Sequence, residues 1–317
     1  MAILVDEDTR VLVQGATGAS GRRAIRLMKA CGTRVVAGVT PGRGGEAVEG
    51  VPVYDTVREA VDRQGPISCS LVSVPAQGVE EAVAEAVDAG IPLVVVRSER
   101  VPQHDVLRLL EGARERGVRI LGPNTIGIMS PGRCLVGTLG GGEEFVGQVF
   151  ARGPVGVVSR SGGQATTLAY YVRRAGMGQS TVVSVGGDAV VGMGWREILE
   201  LFQADPETAA VVAFGEAGGT MELEAAELLA SGRVTKPLVV YVAGRYVAEE
   251  TRFGHAGAVV EGERGRAEYK RQALREAGAW VLDHLDEVGE VLGRLIPRGG
   301  EAGGDEPAEQ RDAADGR

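Results

Sequence analysis

Three histidines occur in the chain, and His255 lies in the run Arg252-Phe253-Gly254-His255-Ala256-Gly257-Ala258, with glycine or alanine at every other position from Gly254 to Ala258. Small neighbours let the backbone turn sharply and let a bulky ligand approach the imidazole. Such a ring serves as a base, a ligand or a covalent nucleophile, whereas the plain alternative is a satisfied histidine in an ordinary loop. A carboxylate to orient it is available in Gly215-Glu216-Ala217-Gly218-Gly219, at the end of an expected strand, where ligands of open α/β sheets collect. There Glu216 either accepts an imidazole N–H and favours the nucleophilic tautomer, or caps the following helix. Gly186-Gly187-Asp188 follows its own strand in a similar way.

Two glycine turns are suited to holding anions. Val11 to Val13 runs into Gln14-Gly15-Ala16-Thr17-Gly18-Ala19-Ser20-Gly21, with a helix expected from near Arg22. Backbone N–H groups and the positive helix end then approach a phosphate or pyrophosphate. Gly15, Gly18 and Gly21 lack the G-x-G-x-x-G order, and no acidic residue closes the second strand to bind a ribose. Thr40-Pro41-Gly42-Arg43-Gly44-Gly45 instead offers an arginine fit for phosphate, favouring phosphorylated adenosine over NAD and weighing against an oxidoreductase. Farther on, Ser159-Arg160-Ser161-Gly162-Gly163 leads from a strand into a helix, either as a phosphoryl-binding helix start or as a simple N-cap.

The elements that must carry these turns are short β-branched runs alternating with helical stretches. Apolar runs at Val11 to Val13, Val35 to Val39, Leu71 to Val74 and Leu93 to Val96 predict a doubly wound parallel sheet. A second series is expected at Val155 to Val158, Thr181 to Val185, Ala210 to Phe214 and Leu238 to Val242. Its helices are expected at Gln164 to Arg174, Trp195 to Gln203, Met221 to Leu229, Ala267 to Ala277 and Leu285 to Leu295. The fold expected is α/β: a Rossmann-like domain over 1–128, a Gly-rich linker of neither period over 129–152, a flavodoxin-like domain over 153–297 and a disordered acidic tail over 298–317.

Composition sets the remaining bounds. The chain has 317 residues, 44% hydrophobic and 24% charged, with a net charge of -9, which weighs against a nucleic-acid binder. Cys31, Cys69 and Cys134 are odd in number and widely spaced, indicating free thiols in a reducing compartment rather than a bridge or metal site. Neither a signal peptide nor an apolar run of about 20 residues is present, so a cytoplasmic protein without a membrane span is expected. No G-x-x-x-x-G-K-[ST] loop occurs, so any ATP must be held elsewhere.

Taken in order, Gly15-Ala16-Thr17-Gly18, Gly38 to Gly45, Gly122-Pro123-Asn124, Val158 to Gly162, Gly186-Gly187-Asp188, Gly215 to Gly219 and Gly254 to Ala258 closely resemble the α subunit of succinyl-CoA synthetase and related nucleoside-diphosphate-forming acyl-CoA ligases. The resemblance extends to about Leu295. It implies that His255 is a phosphohistidine supported by Glu216, and that Ser161, Gly162 and Gly163 receive the phosphoryl group. It further implies that CoA meets Thr17, Gly18, Ala19, Ser20, Arg43, Pro75, Arg97, Ser98 and Glu99, and that the acid lies by Asn124 and Thr166. The partners implied are an ATP-grasp β subunit, which binds ATP or GTP with Mg²⁺, a small carboxylic acid and CoA, and no metal site is implied in this chain.

Departures from that family's pattern gather around the acid. Gly163-Gln164-Ala165-Thr166-Thr167 stands where Thr-Leu-Thr-Tyr-Glu is usual, so Thr166 takes the place of a tyrosine. Thr125-Ile126 replaces Cys-Pro, Ala189-Val190-Val191 follows Asp188, and Ala248-Glu249-Glu250-Thr251 replaces a lysine-rich stretch. Gly-rich and acidic residues from Gly141 to Glu144 stand where Pro-Gly-His-Ile is usual, and Arg43 replaces a lysine. A small carboxylate other than succinate is the expected substrate. The alternative is a CoA-binding regulatory or scaffold protein that shares the fold without the catalysis.

Overall fold

The computed structural model describes residues 2–246, 255, 257–260 and 262–296. The readings made of the tail over 298–317, of Ala248 to Gly254 and of Ala256 lie outside the described residues.

Seven strands build the first sheet: β1 (Arg10–Gln14), β2 (Arg34–Val39), β3 (Ala47–Val48), β4 (Val51–Tyr54), β5 (Cys69–Val72), β6 (Leu93–Val96) and β7 (Arg119–Leu121). Four helices connect them: α1 (Ala19–Ala30), α2 (Val57–Gln64), α3 (Val79–Asp88) and α4 (Gln103–Glu115). The spatial order is β3-β4-β2-β1-β5-β6-β7, parallel except where β3 turns back along β4. Apart from that edge ribbon the order is Rossmann-like, and it reverses between β1 and β5. β5 begins two residues before the expected Leu71, and α1 starts at Ala19 rather than near Arg22, so Ala19 and Ser20 belong to its first turn.

The second sheet holds β8 (Gly127–Ser130), β9 (Cys134–Gly137), β10 (Arg152–Ser159), β11 (Gln179–Ser184), β12 (Ala210–Glu216), β13 (Leu238–Ala243) and β14 (Trp280–Val281). Around it lie α5 (Glu143–Val149), α6 (Gly162–Arg174), α7 (Trp195–Ala204), α8 (Met221–Ala230), α9 (Ala267–Glu276) and α10 (Val288–Leu295). The order β14-β13-β12-β10-β11 is that of a flavodoxin-like sheet, with its switch point between β10 and β12. Ala165, Leu168, Ala169 and Val172 recur at helical spacing on the buried face of α6. Gly156 leaves room for Phe202, whose ring carbon would lie 2.8 Å from an added Cβ.

The stretch expected to be an irregular linker, 129–152, contains the second half of β8, all of β9 and α5 and the first residue of β10. Its two strands extend the second sheet, with β8 antiparallel to both β11 and β9. Four-residue strands bounded by glycine are too short to display a period, which is why the sequence pattern missed them. The glycines there serve close backbone pairing: a Cβ on Gly127 would lie 1.9 Å from the Val136 carbonyl oxygen, and one on Gly137 would lie 2.2 Å from that of Ile126.

This hairpin joins the two halves. Thr33 Oγ1 donates to the Leu135 carbonyl at 2.8 Å and accepts from the Leu135 N–H at 2.9 Å, while Ser130 Oγ donates to the Val5 carbonyl at 2.9 Å. One apolar cluster runs from Val11, Val13 and Met28 through Leu135 to Val157 and Val182. Cys31, Cys69 and Cys134 are free, and burial pushes the Cys134 thiol up to about 11. Among the described residues no helix is long and apolar enough to cross a membrane.

Gly137 has φ near 120°, so Gly137→Ala combines backbone strain with overlap and should destabilise the protein by about 2–3 kcal/mol. Gly132→Ala, with φ 73° but nothing within 4 Å of the new methyl group, should cost only about 1 kcal/mol. Thermal unfolding of the two variants checks this, and equal losses in Tm would refute the pairing role given to Gly137.

Candidate active site

Both switch points place loops at the carboxyl ends of their strands. At the second, Glu216 is the last residue of β12, paired with Ala243 of β13, and its side chain is 4% exposed. His255 Nδ1 lies 2.9 and 3.0 Å from its two carboxylate oxygens. In the neutral ring Nδ1–H therefore donates to Glu216, leaving the Nε2 lone pair for chemistry. Glu216 does not cap the next helix, since the N-cap of α8 is Thr220, where no side-chain cap bond forms.

Glycines seat the ring more than they open it to a ligand. A Cβ at Gly187 would lie 2.5 Å from His255 Cγ and Cδ2, so the imidazole rests directly on that peptide. Gly257 N–H donates to the Gly187 carbonyl at 3.0 Å, and a Cβ there would approach the Asp188 carbonyl oxygen to 2.7 Å. His255 keeps 32% of its side chain exposed. Its pKa is raised by the hydrogen bond to Glu216; burial opposes this, the Glu216 charge adds to it, Arg160 opposes it and Asp188 adds to it.

Beneath the pair lies a charged cluster that the sequence reading missed. Lys270, fully buried, donates to the carbonyls of Glu216 at 2.8 Å and Gly218 at 2.5 Å and to Glu222 Oε2 at 2.5 Å. Glu222 Oε1 accepts the Glu216 N–H at 2.9 Å. Arg160 Nη1 and Nη2 donate to the carbonyls of Gly218 at 2.8 Å and Gly257 at 3.3 Å, tying the glutamate loop to the histidine loop. Burial lowers the Lys270 pKa and Glu222 opposes that shift. A signal was present: Ala267, Lys270, Arg271 and Leu274 occupy the buried face of α9, where charged residues need a partner.

At the first switch point α1 opens on Gly18 with no side-chain cap and no acid in its first turn, so its N–H groups are available to an anion. Ser20 Oγ accepts from Arg97 Nη1 at 2.9 Å and from Ser73 Oγ at 3.1 Å. Arg97 Nε is buried without a hydrogen-bond partner. Thr17 N–H donates to Thr40 Oγ1 at 3.3 Å, and Ser98 Oγ donates to the Val74 carbonyl at 2.5 Å. Pro75 is exposed just after β5, and Arg43 is an exposed loop residue paired with Glu46 at 2.7 Å.

A cavity of about 480 Å³ connects this half to the histidine. Glu99, Arg100, Asn124, Asp188, Val190 and His255 are among its lining residues. Asn124, at φ 58°, donates from Nδ2 to Asp188 Oδ1 at 2.8 Å. Ser161 holds the N-cap position of α6 without forming a side-chain cap bond, Gly162 packs on Ile126, and Gly163 is exposed with open space around it. Thr166 lies one turn along α6 and, like Arg43, does not line the cavity. Among the described residues no group of three His, Cys, Asp or Glu gathers to hold a metal ion.

Residues 6–100 match the family model of the CoA binding domain, and residues 158–280 match that of CoA-ligase. A CoA-binding domain fused to a CoA-ligase domain defines the class as a subunit of an acid–thiol ligase. The chain is 44% identical over 298 residues to the succinate–CoA ligase [ADP-forming] subunit alpha of Aquifex aeolicus, covering 93% of this chain and 95% of that one. It is 40% identical to an ADP-forming sulfoacetate-CoA ligase subunit of Bilophila wadsworthia over 93% of this chain and 100% of the relative. The ATP citrate lyase of Methanosaeta concilii in complex with (3S)-citryl-CoA superposes with a TM-score of 0.86 at 28% identity, over 99% of this chain and 54% of that chain. The chain belongs to the succinate–CoA ligase alpha-subunit family of ADP-forming CoA ligases.

Because Glu216 raises the His255 pKa, the charge pair stabilises the folded protein fully below the unfolded histidine pKa of about 6.5, and this contribution is lost as pH rises through the folded value. Glu216→Gln should move the His255 titration midpoint down. An NMR titration of the ring protons checks this, and an unmoved midpoint would show that the carboxylate does not govern the ring.

Proposed function

We propose that His255 Nε2 carries a phosphoryl group from a nucleotide to a carboxylic acid, forming an acyl phosphate that the CoA thiol then converts to a thioester. The observation that carries this reading is the two-oxygen contact of Glu216 with Nδ1, which fixes the ring and leaves one nitrogen free. Nε2 attacks the terminal phosphorus as the bond to the departing nucleoside diphosphate breaks, and Glu216 stabilises the cationic ring that forms. The acid's oxygen then takes the phosphoryl group from nitrogen. A carboxylate oxygen leaves poorly, whereas phosphate departs readily from an acyl carbon, which is the reason for the detour.

The first turn of α6, at Ser161, Gly162 and Gly163, receives the phosphoryl oxygens on open N–H groups. The start of α1, from Thr17 to Ser20, with Arg43, Pro75, Arg97, Ser98 and Glu99, holds CoA, and the buried unpartnered Nε of Arg97 fits an anionic ligand there. Asn124 faces the acid in the cavity beside His255, and Thr166, outside that lining, is assigned to the acid by the family resemblance alone. An ATP-grasp β subunit supplies ATP or GTP with Mg²⁺, in the cytoplasm. The acid is a small carboxylate other than succinate, a reading supported by Thr166 and by the sulfoacetate specificity in the name of one relative.

Incubated with its partner subunit and γ-labelled nucleotide, the protein should gain an acid-labile, base-stable label at His255, absent in His255→Asn. Glu216→Gln should slow labelling by about 10². Absence of label in a complex that hydrolyses nucleotide would end this reading. In a panel of small acids, the highest kcat/KM should fall on an acid other than succinate.

A further inference from the structure

The proposed thioester step requires the thiol to lose a proton, and the geometry of the cavity offers an acceptor on the side of the CoA half. Once the acid has taken the phosphoryl group, Nε2 of His255 is free again on a ring held at the Glu216 side of the site, and Glu216 itself is sealed against Nδ1 at 4% exposure. Two other carboxylates line the 480 Å³ cavity between the CoA half and the histidine, those of Glu99 and Asp188. Glu99 is exposed and lies 3.9 Å from Arg100, so its charge stays hydrated.

Asp188 is half-buried and held in place. Asn124 donates to its Oδ1 at 2.8 Å, while the Asn124 N–H donates to the Ser98 carbonyl at 2.9 Å, so one residue ties the carboxylate to the CoA half. On the other side the Asp188 carbonyl abuts Gly257, two residues from the histidine. The carboxylate thus lines the cavity that runs from the half proposed to hold CoA to His255. Building on the phosphohistidine reading, we propose that Asp188 is the general base of thioester formation, a catalytic residue that takes the thiol proton as sulfur attacks the acyl carbon.

The step balances without a further reactant. The S–H bond breaks with its proton passing to Asp188 Oδ2, the S–C bond forms, and the C–O bond to phosphate breaks, releasing inorganic phosphate. The proton then leaves to water. Burial raises the Asp188 pKa, the bond from Asn124 opposes this, Glu99 adds to it and His255 opposes it, while Arg100 faces the same cavity. A carboxylate shifted upward is better matched to a thiol than an ordinary one.

Asp188→Asn retains an oxygen to accept from Asn124 and removes only the basicity. In the complete complex with its partner subunit, three readouts separate the steps: labelling of His255, capture of the acyl phosphate by hydroxylamine, which needs no base near neutral pH, and thioester formation from CoA. The variant should retain the first two and lose the third by about 10² or more near neutral pH. That loss should shrink as pH rises toward the pKa of the thiol, because pre-formed thiolate needs no base. Unchanged thioester formation would overturn the proposal by leaving His255 Nε2 or the departing phosphate as proton acceptor, and parallel loss of hydroxamate and thioester would reduce Asp188 to a structural role. Failure of the unaltered complex to label His255 would instead bring down the phosphohistidine reading on which this inference rests.

Discussion

The buried ammonium of Lys270 is the constraint on which the site's geometry depends. It has three protons to donate and three acceptors within 2.8 Å, the carbonyls of Glu216 and Gly218 and the carboxylate of Glu222. Removing one member of such a buried pair typically costs about 3–5 kcal/mol, because the other charge is left in a poor solvent. The satisfied cluster holds the β12–α8 turn at two carbonyls and one N–H, so the orientation of Glu216 is set by groups that never meet solvent. Arg160 extends the same control across to the histidine loop at Gly257.

The two halves of the chain repeat one plan. Each sheet reverses its strand order beside its first long strand, and each presents a helix start without a side-chain cap at that reversal, Gly18 for α1 and Ser161 for α6. Open α/β sheets bind ligands at such points. The β8–β9 hairpin fixes the halves to one another through Thr33 and Ser130, and the cavity between Glu99 and His255 is the space left where the two carboxyl-end surfaces meet. A ligand reaching from one switch point to the other has to pass Asn124, whose main chain bonds one half and whose side chain bonds the other.

Strands such as Leu93–Val96 were legible because four consecutive β-branched or leucine residues between turns have few other uses, and His255 and Glu216 stood out because glycine isolates them. The hairpin from Gly127 to Gly137 was not legible. Its glycines look like linker residues until the partner strand is known, since what they accommodate is another backbone. Lys270 and Glu222 were missed for a related reason: on a helical wheel each is a charge on an apolar face, and only the fold shows that the two faces meet. The start of α1 was placed three residues late because Ala19 and Ser20 read as part of the glycine turn, although the helix includes them.

The hydrogen bond that orients His255 also works against the nucleophilic role proposed for it. A carboxylate on Nδ1 stabilises the imidazolium, and in the imidazolium Nε2 has no lone pair to offer phosphorus, so a stronger contact with Glu216 gives a better-placed ring that is more often protonated. Two features push the other way, the burial of the ring and the positive charge of Arg160, and both lower its proton affinity. In the proposed phosphohistidine the balance reverses, because the ring is cationic while Nδ1 keeps its proton and the Glu216 carboxylate stabilises that charge. In that reading Glu216 favours the phosphorylated ring, while the charge of Arg160 opposes protonation of the free one. In the proposed mechanism, that opposition lets one imidazole both accept and release the phosphoryl group.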